Sequence, residues 1–243
     1  GLSETSPVAS FNHADRERKP GSIGTPVAGV QMRLVDADWN DTPEGEIGEI
    51  ALLHIISRDP APPPLDYIKV SGGMFLDMTI HDFDMARFLM GGEVAEVTSY
   101  DTKSRSKLFA PYQYPTSSVT IVKFKNGAIG KCAAVVDCLQ PYYFHTHLVG
   151  SEGSLLDNKF HSMKLGGLNK NAWSNLSMKM LDSGDVSDHP YQTQFQAFFD
   201  AIDAGKDMPL TSFADAFKSH RVIAAADKSA KEGRAVKLSE IAG

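Results

Sequence analysis

Asp77 and His81 stand four residues apart in the stretch Ser71-Gly72-Gly73-Met74-Phe75-Leu76-Asp77-Met78-Thr79-Ile80-His81-Asp82-Phe83-Asp84-Met85-Ala86-Arg87-Phe88-Leu89. On a helix, that spacing projects both side chains from one face, one turn apart. A carboxylate in that position orients an imidazole, selects its tautomer and raises its basicity. An imidazole that titrates near neutrality can then take a proton from a hydroxyl. The same spacing serves two other ends: a surface pair with a structural role, or two ligands of a metal site whose third and fourth come from elsewhere.

The apolar residues Phe75, Met78, Phe83, Met85, Phe88 and Leu89 recur largely at helical spacing, which predicts one helix of about four turns. The glycine pair before it suits a helix entry that approaches another group closely. Upstream, Asp59 to Pro64 carries consecutive prolines, which lack donors and fix φ, so this segment is expected to be extended or turning.

The run from Leu53 to Leu89, with Ser57-Arg58-Asp59-Pro60-Ala61-Pro62-Pro63-Pro64 and the Gly-Gly-x-Phe-x-Asp-Met-Thr-Ile-His-Asp-Phe-Asp-Met-Ala-Arg stretch, resembles the inositol 2-dehydrogenase branch of the Gfo/Idh/MocA oxidoreductases. The resemblance implies that Asp77 and His81 are catalytic, with His81 the base on a substrate hydroxyl while hydride passes to NAD or NADP. It also implies the family's C-terminal domain from about residue 53 to 241: an α+β fold, an open and mostly antiparallel sheet with helices on one face. Where inositol dehydrogenases carry Gly-Tyr-Asp-Gln-Arg, this chain has Pro141-Tyr142-Tyr143-Phe144-His145. Tyr142 keeps the position that contacts polyol hydroxyls in the family. The Asp, Gln and Arg are replaced, which turns the expectation from inositol itself toward another small polyol or sugar. The other reading of Tyr142, Tyr143 and Phe144 is aromatic packing at a strand end.

Residues 1 to 50 differ in character: six glycines and four prolines interrupt them, and short strands joined by turns are expected, at Val30 to Val35 and Ile47 to Leu53. Gly1-Leu2-Ser3-Glu4-Thr5-Ser6-Pro7, Gly21 to Val30 and Glu44 to Ile50 resemble a second family, the AMP-forming acyl-CoA synthetases. That resemblance implies nucleotide-phosphate and magnesium roles for Thr5 and Glu4. The phosphate loop, ribose-binding aspartate and C-terminal lysine domain of that family have no counterpart here, so Glu4 and Thr5 are not expected to form a nucleotide site. The expected organisation is a synthetase-like fragment over 1–52 and a dehydrogenase-type domain over 53–243.

Downstream, Val94 to Thr102, Val119 to Phe124 and Ala128 to Cys138 read as strands, the last two joined by a tight turn at Lys125-Asn126-Gly127. Cys132, Ala134, Val136 and Cys138 then share one small, apolar face. His145 to Val149, Ser154 to Leu156 and Trp173 to Leu181 continue the strands, with a hairpin turn at Gly150 to Gly153. A helix from about Pro190 to Ala204 presents Tyr191, Phe195, Phe198, Phe199 and Ile202 as an apolar stripe, capped by Gly205. A last helix over about Ser212 to Glu232 places Phe213, Phe217 and Ala224 on one face as core, with His220 packed among them or at an interface.

The net charge of −6 leaves no basic footprint for nucleic acid. No run of 18 apolar residues predicts a membrane span, and two cysteines on one strand cannot reach each other, which suits reduced thiols in the cytoplasm. No Gly-x-Gly-x-x-Gly occurs for a dinucleotide, and the family's Glu-Lys-Pro lysine has no counterpart. The chain is therefore expected to hold the substrate-binding and partial catalytic half of a dehydrogenase, inactive alone. The open sheet face is a surface on which copies could assemble, so a homo-oligomer is expected; a non-catalytic oligomerisation module and an acyl-CoA ligase remnant are the alternatives.

Overall fold

Leu53, Ile55 and Ser57 alternate with His54, Ile56 and Arg58, and this alternation makes a strand with two unlike faces. In the computed structural model, which describes residues 10–11, 25–26, 47–111, 114–175, 191–206 and 212–242, that strand is the middle of the main sheet. Two short strands, β1 (Ser10–Phe11) and β2 (Thr25–Pro26), pair with each other antiparallel. The main sheet contains β3 (Ile50–Arg58), β4 (Val94–Lys103), β5 (Pro115–Phe124), β6 (Ile129–Val135), β7 (Tyr143–Gly150), β8 (Gly153–Leu156), β9 (Lys159–Ser162), β10 (Ser174–Asn175) and β11 (Val236–Lys237). Their order is β10-β9-β8-β7-β3-β6-β5-β4-β11, and β3 with β6 is the parallel pair. The expected open, mostly antiparallel sheet is therefore present.

The described α-helices are α1 (Leu65–Ser71), α2 (Met74–Asp77), α3 (Thr79–Met90), α4 (Tyr191–Asp203) and α5 (Phe213–Glu232). The face of the sheet carrying Leu53, Ile55, Val97, Val122, Phe124 and Cys132 is buried against Phe83, Met90, Val222 and Ala226 of α3 and α5. The opposite face leaves Tyr100, Val119, Ile121 and Ile129 exposed. None of the described helices is long and apolar enough to cross a membrane.

Several expectations change. The single helix over Ser71 to Leu89 is two: α2 ends at Asp77, and Met78 (φ −107°, ψ −57°) separates it from α3. Thr79 Oγ1 donates to the Phe75 carbonyl at 2.9 Å, a back-bond to the preceding turn that bends a helix. A further helix, α1, follows directly on Pro64, which supplies a φ of −54° at the helix entry.

Strand β6 stops at Val135, so Cys138 lies outside it, with Sγ donating to the Asp59 carbonyl at 2.7 Å. Cys132 is buried, and both thiols are free. The hairpins at Lys125 to Gly127 and Gly150 to Gly153 form as expected, the first with Gly127 at φ 91° and the Phe124 amide bonded to the Ala128 carbonyl at 2.9 Å. The strand expected over Trp173 to Leu181 is described only at Ser174–Asn175, and Val30 to Val35, Glu4 and Thr5 lie outside the described residues.

On α5 the expected core face is wrong. Phe213 is 89% exposed, and Phe217 and Ala224 are exposed too. The helix packs through Ser219, Val222, Ile223, Ala225, Ala226 and Ser229. These mostly small side chains let its backbone approach β4 closely, so that Ser229 Oγ accepts from the Ser99 amide at 2.9 Å. Hydrophobicity singled out the aromatic face, whereas close packing selected the small one. His220 is exposed, its Nδ1 2.9 Å from the Ala216 carbonyl of its own helix. On α4 the stripe of Phe195, Phe198, Phe199 and Ile202 forms but stays exposed.

Candidate active site

Strand β3 ends in Ser57-Arg58, and beside it run the end of β6 and the start of β7, Arg58 lying opposite Val135 on one side and Tyr143 on the other. A buried Ser57 faces the helices, and Arg58 points to the other face of the sheet. Arg58 Nη1 donates to its neighbour's carbonyl at Ser57 (2.8 Å) and across the ladder to the Ala133 carbonyl (2.5 Å). The guanidinium thus clamps the two parallel strands where they end.

The first turn of α3 lies over this corner. Ser57 Oγ donates to Asp82 Oδ1, and Asp82 is fully buried with Oδ2 lacking any partner. Burial pushes the Asp82 carboxyl up to about 7, against the Ser57 hydrogen bond and the charges of His81 and Arg58, which favour ionisation. The Cys132 thiol beneath it is pushed well above its ordinary range, first by burial and then by Asp82. Asp82 was not singled out from the sequence. Its signal there is a carboxylate at a position that the helical period assigns to the buried face.

His81 precedes Asp82 and is half-buried, its amide bonded to the Met78 carbonyl at 3.4 Å across the break between the helices. Asp77 closes α2, also half-buried, and its Oδ1 accepts from Tyr67 Oη of α1 at 2.7 Å. Tyr67 was missed because α1 was missed; a tyrosine ten residues before an aspartate has no periodic signature. Arg87, later on α3, is 5% exposed and ties the helix to α5 through Ser219 Oγ (2.7 Å) and Asp215 Oδ1 (3.0 Å), with Glu93 Oε1 at 3.4 Å. This clamp sets how α3 lies over the sheet.

Tyr142 immediately precedes β7, at the sheet end where β3 and β6 finish, and is half-buried against the apolar core. Its neighbour Tyr143 stacks on His145 with ring centroids 5.8 Å apart, and His145 Nδ1 lies 2.6 Å from Asp157 Oδ2. Asp157 sits in the β8–β9 turn at φ 53° and also accepts from the Thr146 amide at 2.9 Å. This second histidine–carboxylate pair is brought together by strand register, twelve residues apart in sequence, and no helical spacing announces it. Next to it, His54 and His147 face each other across β3 and β7, ring centroids 6.1 Å apart, and burial, then Lys131 and the neighbouring histidines, lower the His54 pKa.

Among the described residues no group of three or more His, Cys, Asp or Glu side chains could hold a metal ion. Nor do these residues fit a dinucleotide. The strand that would open a phosphate-binding turn, β3, runs on into Asp59-Pro60-Ala61-Pro62-Pro63-Pro64, where a pyrophosphate cradle needs glycines and free backbone donors.

Residues 42–156 match the family model of the GFO/IDH/MocA C-terminal domain. This part of the chain is a GFO/IDH/MocA C-terminal domain. Residues 1–54 match the AMP-binding enzyme model, and the two matches overlap over 42–54, where β3 begins. The myo-inositol 2-dehydrogenase of Thermotoga maritima is 35% identical over 199 residues, covering 82% of this chain and 59% of that protein. The scyllo-inositol 2-dehydrogenase (NAD(+)) of Bacillus subtilis is 29% identical, over 85% of this chain and 61% of its own. In the solved structures, a probable dehydrogenase from Thermotoga maritima superposes with a TM-score of 0.65 at 34% identity, over 82% of this chain and 59% of that one. The chain thus spans about three fifths of the length of these relatives.

Proposed function

We propose that this chain supplies the substrate-binding half of an NAD(P)-dependent polyol or sugar dehydrogenase. In this reading His81 takes the proton from a substrate hydroxyl, Asp77 orients and charges the imidazole, and Tyr142 meets a neighbouring hydroxyl. The observation that carries it is that the first turn of α3, which carries His81, is tied through Asp82 to Ser57 at the end of β3, one residue from the Arg58 that lies opposite Tyr143 at the strand start following Tyr142. The relatives' names, inositol 2-dehydrogenases, support a cyclic polyol as the substrate class.

The Tyr67 hydroxyl on Asp77 Oδ1 holds the carboxylate, and in this reading Oδ2 serves the imidazole. A carboxylate held in this way stabilises the imidazolium that forms when the hydroxyl proton arrives on the ring. Nicotinamide, when bound against the substrate carbon, would accept the hydride; it must lie within about 3 to 3.5 Å of that carbon. In this reading a nucleotide-binding unit outside the described residues holds it, and the described domain by itself turns over no polyol.

Calorimetric titration of the chain with myo-inositol and related polyols, and separately with NADH, tests the reading. Expected are saturable polyol heat that His81→Ala reduces at least about tenfold with an unchanged circular dichroism spectrum, and no heat with NADH. No polyol binding by a folded chain would refute it. NADH binding would require a nucleotide site within residues 1–70.

The exposed Tyr100, Val119, Ile121 and Ile129 favour a second role for the same domain, assembly of two copies across the open sheet face. Light scattering on the purified chain checks it: Ile121→Glu should turn a dimer into a monomer, and a monomeric wild type would refute it.

A further inference from the structure

Asp82 is the one fully buried carboxyl among the described residues, and half of its hydrogen-bonding capacity is unfilled. An unpaired carboxylate in an apolar interior is costly, and a hydrophobic residue would pack the site more cheaply. Its position explains what it does. Met78, at the head of α3, offers no side-chain cap, so the turn carrying His81 is held by side chains instead. Thr79 ties it back to Phe75, and Asp82 ties it down to Ser57 at the end of β3. The groups around Asp82 are His81 next to it on its own helix, Ser57 and Arg58 from β3, Asp59 just past the end of β3, and Cys132 from β6.

We propose that Asp82 is a positioning residue for His81: its bond to Ser57 seats the turn that carries the histidine, and its proton sets the field in which the histidine titrates. This rests on the reading of His81 as the base. Ionised Asp82 stabilises the imidazolium next to it, and neutral Asp82 does not. Burial lifts the carboxyl to about 7, so its charge changes within the neutral range, and the imidazole next to it on the helix feels that change. A substrate proton arriving on His81 then meets a neighbour able to adjust its own charge.

The test is an NMR titration of the full chain labelled with ¹³C-histidine, the His81 signal being assigned by its loss in His81→Gln. Wild-type His81 should follow a two-step curve. Asp82→Asn keeps a partner for Ser57 and removes the charge. It should leave a single step whose midpoint is lower by about half a unit or more, roughly a threefold change in the equilibrium. Ser57→Ala removes the bond that holds the carboxyl down, and should move the Asp82-linked step upward. A residue that only filled space would shift neither curve, so identical His81 titrations in wild type and Asp82→Asn overturn the proposal. If Asp82→Asn does not fold, an unchanged curve in Ser57→Ala overturns it instead. No substrate enters the measurement: a chain that binds no polyol but shows the coupling would lose the proposed function and keep this inference.

Discussion

Replacing Asp82 by Asn should stabilise the protein at alkaline pH and destabilise it in mild acid. The carboxyl titrates at 3.8 in the unfolded chain and at about 7 in the fold, raised by burial. The native state therefore holds a proton that the unfolded chain has released between those values, and stability falls as pH rises from about 4 to about 7, then stays flat. A gap of about three units at about 1.4 kcal/mol each corresponds to roughly 4 kcal/mol lost at pH 8 relative to pH 4. Asparagine carries no charge and escapes that loss. It places an amide N–H where Oδ2 now has no partner, which costs about 1 to 2 kcal/mol. The expected outcome is a gain of about 2 to 3 kcal/mol at pH 8 and a loss of about 1 kcal/mol or more at pH 4. Urea unfolding of both proteins across pH 4 to 9 measures the difference curve directly, and other carboxylates cancel in it. A difference that does not change with pH would refute the argument, because it would mean that Asp82 ionises alike in both states.

Arg87→Met removes a buried cation from the α3–α5 contact, leaving Asp215 and Glu93 with Lys218 alone and Asp84 without its ion pair, and should cost about 2 kcal/mol in urea unfolding at pH 7. Gly150→Ala would place a methyl group 2.1 Å from the Ile47 carbonyl oxygen; since backbone must shift, a loss of roughly 3 kcal/mol is expected by the same measurement. Phe198→Glu together with Phe199→Glu, both on the exposed stripe of α4, should change unfolding free energy by less than about 0.5 kcal/mol per site while lowering the binding of a hydrophobic dye.

The sheet was legible because its signals are local. Alternation in β4, β5 and β7 and the Asn126-Gly127 and Gly150 to Gly153 turns mark strands and hairpins within a few residues, and pairing then follows from short connections. Strand ends were less legible: β6 reads on to Cys138 by composition, but stops at Val135, where its partner β3 ends and Asp59 turns the chain. The break at Met78 was hidden for a related reason. Thr79 is an ordinary residue in a helical period, and only in the folded chain does its hydroxyl donate to the Phe75 carbonyl.

Within the candidate site, sequence by itself determined what spacing and residue type can carry: a carboxylate and an imidazole four apart, a tyrosine at a strand start, and a family whose C-terminal domain these match. Tertiary structure decided the partners. Tyr67 reaches Asp77 across the turn that Gly72 and Gly73 make between α1 and α2, Ser57 reaches Asp82 because a helix crosses the end of a strand, and His145 meets Asp157 through the register of β7 and β8. It also decided which faces are buried, seating α5 by its alanines and serines and leaving its phenylalanines in water. The physical reason is the same in each case. Periodicity records the direction of a side chain along its own element, whereas burial and hydrogen bonding depend on what another element brings to meet it.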